Sequence, residues 1–291
     1  MASSNVQLGF KAFDLHELLP HFVAQALGYY REASLDVHLR DITFLPGDQY
    51  PDNLFSTACG AALVSSLTGH SQKVVLVSTD FPLFWLCAHP QLTWPQGLLG
   101  QRVAGYPSVA PPAQFLGIIL RREGLSPERD VQIEEVREDA ARIGLLKSRQ
   151  VAAAVISSTV PLPRLEERRL RPLLFFGDRL RIPTAGLAAP ARVIQQNPGL
   201  VEKMVGVFQR SLRAIHRHRG PDRDRAVAVI KELLDVEPST YDAVVPYFTR
   251  EGRTSTEIAR QGIRLMAREL QVSDPVSVDT VYDWSFLTTA S

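Results

Sequence analysis

Two cysteines are the side chains of this 291-residue sequence best suited to covalent or metal chemistry, and their placement argues against both. Cys59 and Cys87 lie in apolar surroundings, and neither belongs to a CxxC pair. Isolated cysteines in apolar segments are typical of buried, structural thiols. The sequence therefore predicts no disulfide framework, no zinc site and no other bound metal.

Basic residues are concentrated in one run, from Arg210 to Arg225, and acidic residues interrupt it. Over the whole chain, 32 lysines and arginines oppose 31 acidic residues, which leaves a net charge of +1. Such a balance does not steer a protein to nucleic acid or to a membrane surface, and the run is typical of a solvated helix end. No apolar segment is long enough to predict a membrane span.

Asp14 and His16 offer a carboxylate and an imidazole two residues apart, a combination that could act as acid and base. Asp14 also precedes an apolar helical run, so it is an expected N-cap. His16 is equally suited to capping or packing. Because residues two apart in a helix point to different faces, the spacing argues against a catalytic pair.

Alternating strand-like and helix-like segments must position these side chains. Gly28–Leu39 and Gly124–Ile133 share one pattern, in which a helix stops near glycine and Asp-Val opens an alternating apolar segment. Buried strands are predicted at AALVSS, KVVLVSTDF and VAAAVIS, and helices dominate after Pro198. This order predicts an α/β fold with mostly parallel sheets and a helical C-terminal region.

A chain of this length is expected to form two lobes. The repeated pattern predicts one lobe from residues 1–89 and 185–291 and a second from residues 90–184. Crossings near LFWLCAHP and IPTAGLAAP would then form a two-stranded hinge, with a ligand cleft expected between the lobes.

The sequence resembles the type II periplasmic-binding-protein fold, in the branch that binds alkanesulfonates, nitrate, taurine and thiamine-pyrimidine precursors. Three segments carry the resemblance. HELLPHFVAQALGYYREASLDVHL is similar to the family's first helix and second strand, and GLLGQRVAGYPSVAPPAQFLGIILRREGLSPERDVQIEEV to its loop, strand, helix and Gly-x-x-Pro-x-x-Asp-Val run. PARVIQQNPGLVEKMVGVFQRSLRAI is similar to its Asn-Pro-x-x-Val helix. The resemblance implies a two-lobe clamshell that closes on a solute.

Ligand contacts in that family come from loops after strands and from helix N-termini. Hydroxyl groups at three such turns would suit a neutral, hydrogen-bonded ligand, and aromatic side chains facing the cleft would suit a flat one. Serines before helices are also common N-caps. The resemblance maps the ligand-binding positions onto Phe13, Asp14, His16, Ser65, Ser66, Asp80, Phe81, Tyr106, Ser108, Ser157, Ser158 and Thr159, with Ser65 and Ser66 expected after a buried strand.

Three functions remain open at this point. The resemblance favours a monomeric solute-binding protein that delivers a small organic molecule to an ABC importer without any cofactor. An enzyme on the same fold, such as a decarboxylase, lyase or desulfinase, is the alternative, with His16 and Asp14 as its acid and base. The family's desulfinase uses a cysteine after the first strand, where this chain has FKAFDLHE. The third function is a cytoplasmic ligand-binding helper.

Lys11 is the only basic residue in the matched loops, which favours a neutral or aromatic solute over a sulfonate. The N-terminal segment MASSNVQLGF has neither the basic nor the apolar part of an export signal. The location expected for a binding protein is periplasmic, or extracellular and lipid-anchored, if a signal has been removed, and cytoplasmic otherwise.

Overall fold

The computed structural model describes residues 3–43, 45, 49–51, 53–69, 72–108, 110–160, 162–217, 219–273 and 276–288. It divides into two units, unit 1 from residues 1–80 and 182–291 and unit 2 from residues 81–181. The boundaries lie at 80/81 and 181/182, whereas the sequence predicts them at 89/90 and 184/185. Residues 84–88 form a strand of the unit 2 sheet, which is why the first boundary falls earlier.

Each unit contains one five-stranded sheet. In unit 1 the strands are β1 (Ser4–Phe10), β2 (Leu35–Asp41), β3 (Leu54–Ser56), β4 (Gln72–Thr79) and β10 (Ala185–Pro190). In unit 2 they are β5 (Phe84–Ala88), β6 (Gln101–Gly105), β7 (Val131–Glu135), β8 (Ala153–Ser157) and β9 (Arg171–Phe175).

Helices surround both sheets. Those that precede β10 in the chain are α1 (Leu15–Ala26), α2 (Tyr29–Glu32), α3 (Cys59–Leu67), α4 (Pro111–Arg122), α5 (Asp139–Lys147) and α6 (Leu162–Glu166). Those that follow it are α7 (Ala191–Gln196), α8 (Pro198–Ile215), α9 (Pro221–Leu234), α10 (Pro238–Val244), α11 (Thr256–Glu269) and α12 (Val278–Val281). Among the described residues, no helix is long and apolar enough to cross a membrane.

The unit 1 sheet has the order β2-β1-β3-β10-β4. β1 pairs in parallel with β2 and β3, and β10 pairs antiparallel with β3 and β4. Four strands therefore share one direction, as the predicted mostly parallel sheet requires, and β10 alone opposes them. The carboxyl ends of β1 and β3 meet at one edge of this sheet, where the loops that follow them are adjacent.

The unit 2 sheet repeats this design with the order β7-β6-β8-β5-β9. β6 pairs in parallel with β7 and β8, and β5 pairs antiparallel with β8 and β9. The lone antiparallel strand is again one that the chain forms as it passes from one unit to the other. The carboxyl ends of β6, β7 and β8 share an edge.

The predicted strand AALVSS is wrong, because these residues belong to helix α3. The strand of this region is β3, which ends three residues before α3 begins. Seven of the nine residues of α3 are buried, so its sequence has no polar face and lacks helical periodicity. A short apolar run of this kind does not distinguish a buried strand from a buried helix.

Gly186 allows β10 to approach β4 closely. A Cβ atom at this position would lie 2.1 Å from the Leu76 carbonyl oxygen and 2.8 Å from Cys59 Sγ. Neither backbone nor a fully buried thiol can yield at little cost.

We expect Gly186→Ala to lower the free energy of unfolding by about 1–3 kcal/mol, the usual cost of overpacking a core. Urea unfolding of the purified variant measures this change. Gly199→Ala, on α8, is the matched control, because a Cβ there meets no atom within 4 Å. Equal stability of the two variants would contradict the close approach of β10 and β4.

Candidate ligand-binding site

The loop after β1 carries three of the sequence-predicted residues. Asp14 is the N-cap of α1, and its Oδ1 accepts a hydrogen bond from the Glu17 amide at 2.9 Å. The Asp14 side chain is buried, and this hydrogen bond to the first turn is the one that an N-cap residue makes. Asp14 thus fixes the start of the helix, and its contact with a ligand stays a prediction.

Phe13 is the exposed aromatic side chain of this loop, with 46% of its surface accessible. Its ring packs against Phe10 and Phe22, with centroids 5.5 Å away in each case and with tilted or edge-on geometry. These contacts support one side of the ring and leave the remainder accessible. An aromatic surface held in this way is suited to stacking on a flat or apolar group.

Glu17 is a buried carboxylate that joins two strand ends, and no sequence pattern indicated it. Its Oε1 accepts hydrogen bonds from the Lys11 amide at 2.8 Å and from Thr57 Oγ1 at 2.7 Å. Its Oε2 accepts the Ala12 amide at 2.9 Å. Lys11 and Ala12 follow β1 and Thr57 follows β3, so one side chain of α1 fastens both loops.

Burial raises the pKa of Glu17 to about 7, because a carboxylate loses its hydration inside the protein. The hydrogen bonds from Thr57, Lys11 and Ala12 oppose this effect, while the negative charge of Asp14 reinforces it. Burial raises the pKa values of Tyr50 and Cys59, and the negative charge of Glu17 adds to this rise. Lys11 carries the opposing positive charge.

His16 is buried beneath the same loop. Its Nε2 lies 2.8 Å from Thr184 Oγ1, and that hydroxyl donates to the Thr79 carbonyl oxygen at 3.3 Å. Burial lowers the pKa of His16 to about 3, so the imidazole is neutral and a weak base at physiological pH. These properties suit a packing residue better than the acid/base role predicted for an enzyme.

Asp80 and Phe81 follow β4, and the unit boundary separates them. In unit 1, Asp80 is buried, and its Oδ2 accepts a hydrogen bond from Thr254 Oγ1 at 2.5 Å. In unit 2, the Arg181 guanidinium lies 3.8 Å from the centroid of the Phe81 ring.

Tyr106 and Ser108 follow β6 in unit 2, as predicted. The Tyr106 ring packs edge-on against Phe84, with centroids 5.4 Å apart, and lies 3.8 Å from the Arg142 guanidinium. The Ser108 carbonyl oxygen accepts a hydrogen bond from the Gln114 side chain. Tyr106 is thus the aromatic counterpart, in unit 2, of Phe13 in unit 1.

Arg142 is a fully buried cation that no sequence pattern identified. Its Nε donates to the Val155 carbonyl oxygen at 2.6 Å, and Nη1 donates to those of Val136 and Arg137 at 2.5 and 2.7 Å. Its Nη2 pairs with Asp139. The guanidinium joins the ends of β7 and β8 and packs on the Tyr106 ring, which follows β6. Its N–H donors are therefore engaged within the protein.

Ser157, Ser158 and Thr159 lie at the end of β8, where the sequence predicts them. The Ser157 amide donates to Asp139 Oδ1 at 3.0 Å, and the Thr159 amide donates to Ser157 Oγ at 3.3 Å. The Ser158 hydroxyl is inaccessible to solvent and has no hydrogen-bond partner among the described residues. Because this hydroxyl is inaccessible, its contact with a ligand stays a prediction.

Ser65 and Ser66 do not join the other predicted residues. They lie near the C-terminal end of α3, and Ser66 Oγ donates to the carbonyl oxygens of Ala62 and Gln72 at 2.9 and 2.8 Å. Gln72 begins β4, so Ser66 lies at the amino edge of the sheet. The residue that follows the true strand β3 is Thr57. The strand expected to precede Ser65 and Ser66 is a helix. Ligand binding by the two serines therefore stays a prediction that this strand no longer supports.

The remaining reactive groups are structural. Cys59 and Cys87 are both free and buried, and burial raises the pKa of each, that of Cys87 to about 12. Thiols of this kind are poor nucleophiles. Among the described residues, no cluster of histidine, cysteine and acidic side chains has the geometry of a metal site.

Arg142→Met should destabilise the protein by about 3–5 kcal/mol, because three carbonyl oxygens and Asp139 lose their donor inside the protein. Urea unfolding measures this loss. Arg102→Met is the control, since Arg102 is an exposed residue paired with Glu134 and should cost at most about 1 kcal/mol. Similar losses in the two variants would mean that Arg142 does not organise the strand ends.

The raised pKa of Glu17 predicts that protons stabilise the folded state. A carboxyl group with a pKa of about 7 when folded and 4.5 when unfolded binds its proton more tightly in the folded protein. This stabilising contribution is complete below pH 4.5 and is lost as the pH rises to 7. The difference in melting temperature between wild type and Glu17→Gln should therefore fall over this range.

Thermal unfolding at half-unit steps from pH 4.5 to 8 measures that difference. Glu32→Gln, which removes an exposed carboxylate paired with Arg210, is the control and should give a curve parallel to wild type. A constant difference between wild type and Glu17→Gln would contradict the buried titration.

Similar solved structures extend over almost the whole chain. No family model and no curated protein matches the sequence. The periplasmic aliphatic sulphonate binding protein SsuA from Escherichia coli is 14% identical, with a TM-score of 0.72 and coverage of 96% of this chain and 97% of that one. The alkanesulfonate-binding protein SsuA from Xanthomonas axonopodis pv. citri, bound to MOPS, is 13% identical, with a TM-score of 0.74 and coverage of 97% and 99%.

An enzyme is also among the similar structures. The desulfurization enzyme DSZB is 13% identical, with a TM-score of 0.70 and coverage of 97% of each chain. At these identities the similarity establishes the fold and leaves activity open. The two sheets, their strand order and these full-length matches show that the chain has the type II periplasmic-binding-protein fold.

Proposed function

We propose that this protein is a substrate-binding protein that captures a small organic molecule for an ABC importer. The sulfonate-binding proteins of the same fold support the solute-binding role. One observation carries the proposal for this chain, which is the supported and exposed ring of Phe13 at the carboxyl edge of the unit 1 sheet. A ring in this position favours a flat aromatic or apolar body in the ligand.

The charged groups at the strand ends of each unit, taken separately, support an uncharged ligand. Asp14 and Glu17 are acidic and accept hydrogen bonds from backbone amides, so they would repel an anion. In unit 2, the Arg142 guanidinium is inaccessible and donates to backbone carbonyl oxygens.

The chemistry of the buried groups favours binding over catalysis. The loop after β1 contains no cysteine, the two thiols of the chain are buried, and His16 is a weak base. Delivery to an importer requires only that the ligand is released unchanged. The native location proposed with this function is the periplasm or the outer face of the membrane.

Thermal-shift measurements on the purified protein test this proposal. The panel contains alkanesulfonates, nitrate, thiamine pyrimidines, flavin-like rings and aromatic carboxylates, each paired with its uncharged amide where one exists. Saturation at about 100 times the Kd should stabilise the protein by about 2.7 kcal/mol. Mass spectrometry of every stabilising mixture then distinguishes a bound ligand from a substrate. Recovery of a reaction product would replace the binding function with an enzymatic one.

Phe13→Ala should weaken binding of an aromatic panel ligand about threefold to tenfold, the value of one aromatic stacking contact. Isothermal titration with the strongest ligand measures this change. Leu233→Ala removes another exposed apolar side chain of unit 1 and is the control. Unchanged affinity in Phe13→Ala would remove the ring from the ligand site.

A further inference from the structure

Three hydrogen-bond donors converge on one point at the carboxyl edge of the unit 1 sheet. They are the backbone amides of Lys11 and Ala12 and the hydroxyl of Thr57, all within 2.9 Å of a Glu17 carboxylate oxygen. Two adjacent backbone amides and a hydroxyl are a common way to bind an anion in a protein. Here the anion is a side chain of the same molecule.

Glu17 fills this position completely. The residue is buried, and each of its oxygens accepts at least one hydrogen bond from a loop that follows a strand. The one lysine of the loop, Lys11, directs its Nζ toward the carbonyl oxygens of Ile42 and Thr43, 3.3 and 3.4 Å away. The donors expected to receive an anionic ligand head at this edge are thus already in use.

We propose that Glu17 is the specificity-determining residue of this edge, because it occupies an internal anion site and thereby excludes negatively charged ligand heads. This inference rests on the proposed binding function. Above pH 7 Glu17 is ionised, and the Lys11 ammonium is directed toward backbone carbonyl oxygens. An incoming sulfonate or carboxylate then meets the negative charges of Glu17 and Asp14, and like charges in close contact disfavour a complex strongly. An uncharged amide, hydroxyl or aromatic group does not experience this repulsion.

Removal of the Glu17 side chain should convert the internal site into an open one. Glu17→Ala leaves the amides of Lys11 and Ala12 and the Thr57 hydroxyl facing a space of carboxylate size. We expect formate at pH 8 to raise the melting temperature of Glu17→Ala by several degrees relative to equal concentrations of chloride and of formamide. Wild type and Glu32→Ala, an exposed control, should not respond. A response to formate no larger than that of wild type would overturn the inference.

Glu17→Gln keeps the volume of the side chain and serves if Glu17→Ala does not fold. Benzenesulfonate and benzenesulfonamide are the probes, because they share a ring and differ in charge. We expect the preference of wild type for the sulfonamide to fall at least about tenfold in the variant, the equivalent of 1.4 kcal/mol. Binding of benzenesulfonate to Glu17→Gln that does not exceed its binding to wild type would overturn the inference.

The two proposals fail in different ways. The formate experiment requires no natural ligand, so it reports on the internal anion site even if wild type binds nothing in the panel. Absence of any panel ligand would overturn the proposed function alone. Rescue by formate together with equal wild-type affinity for the sulfonate and the sulfonamide would establish the anion site and overturn its role in specificity.

Discussion

A charged group that leaves water must replace its hydration with hydrogen bonds, and one such group joins strand ends at the carboxyl edge of the sheet in each unit. In unit 1 the group is Glu17, which gathers two amides and a hydroxyl from the ends of β1 and β3. In unit 2 it is Arg142, which gathers carbonyl oxygens at the ends of β7 and β8. The charges are opposite, but each ties together loops that the sheet alone would leave independent.

This arrangement separates support from recognition. The strongest hydrogen-bonding groups near the strand ends are engaged with the backbone, and they hold aromatic rings and hydroxyl groups in place. Phe13 rests on two phenylalanines, and Tyr106 lies between Phe84 and the Arg142 guanidinium. In unit 1 the proposed ligand contact is then the supported ring of Phe13. Under the proposed function this edge would bind a sulfonate weakly, although solved structures of the same fold include sulfonate-binding proteins.

Local patterns made much of the fold predictable from the sequence. The Asp14 cap and the Asp-Val strand openings depend on residues close together in the chain, so their signals are local. The α3 region was predicted wrongly because a helix buried on every face has no periodicity. Glu17 was missed for another reason, since Thr57, one of its partners, lies 40 residues away. Arg142 looks like an ordinary polar residue of α5 until its acceptors are brought together by the sheet.

The lone antiparallel strand of unit 1 has a consequence for the order of folding. β10 pairs with β4, and Pro190 lies opposite Gln72, so this sheet closes a loop of more than one hundred residues. All five strands of unit 2 lie inside that loop, between Phe84 and Phe175. During synthesis, the ribosome therefore releases every strand of unit 2 before it releases β10. Compaction of the intervening segment shortens the effective loop and reduces the entropy lost when β10 docks. An inserted unit that folds first would therefore lower the entropic cost of completing the unit that surrounds it in sequence.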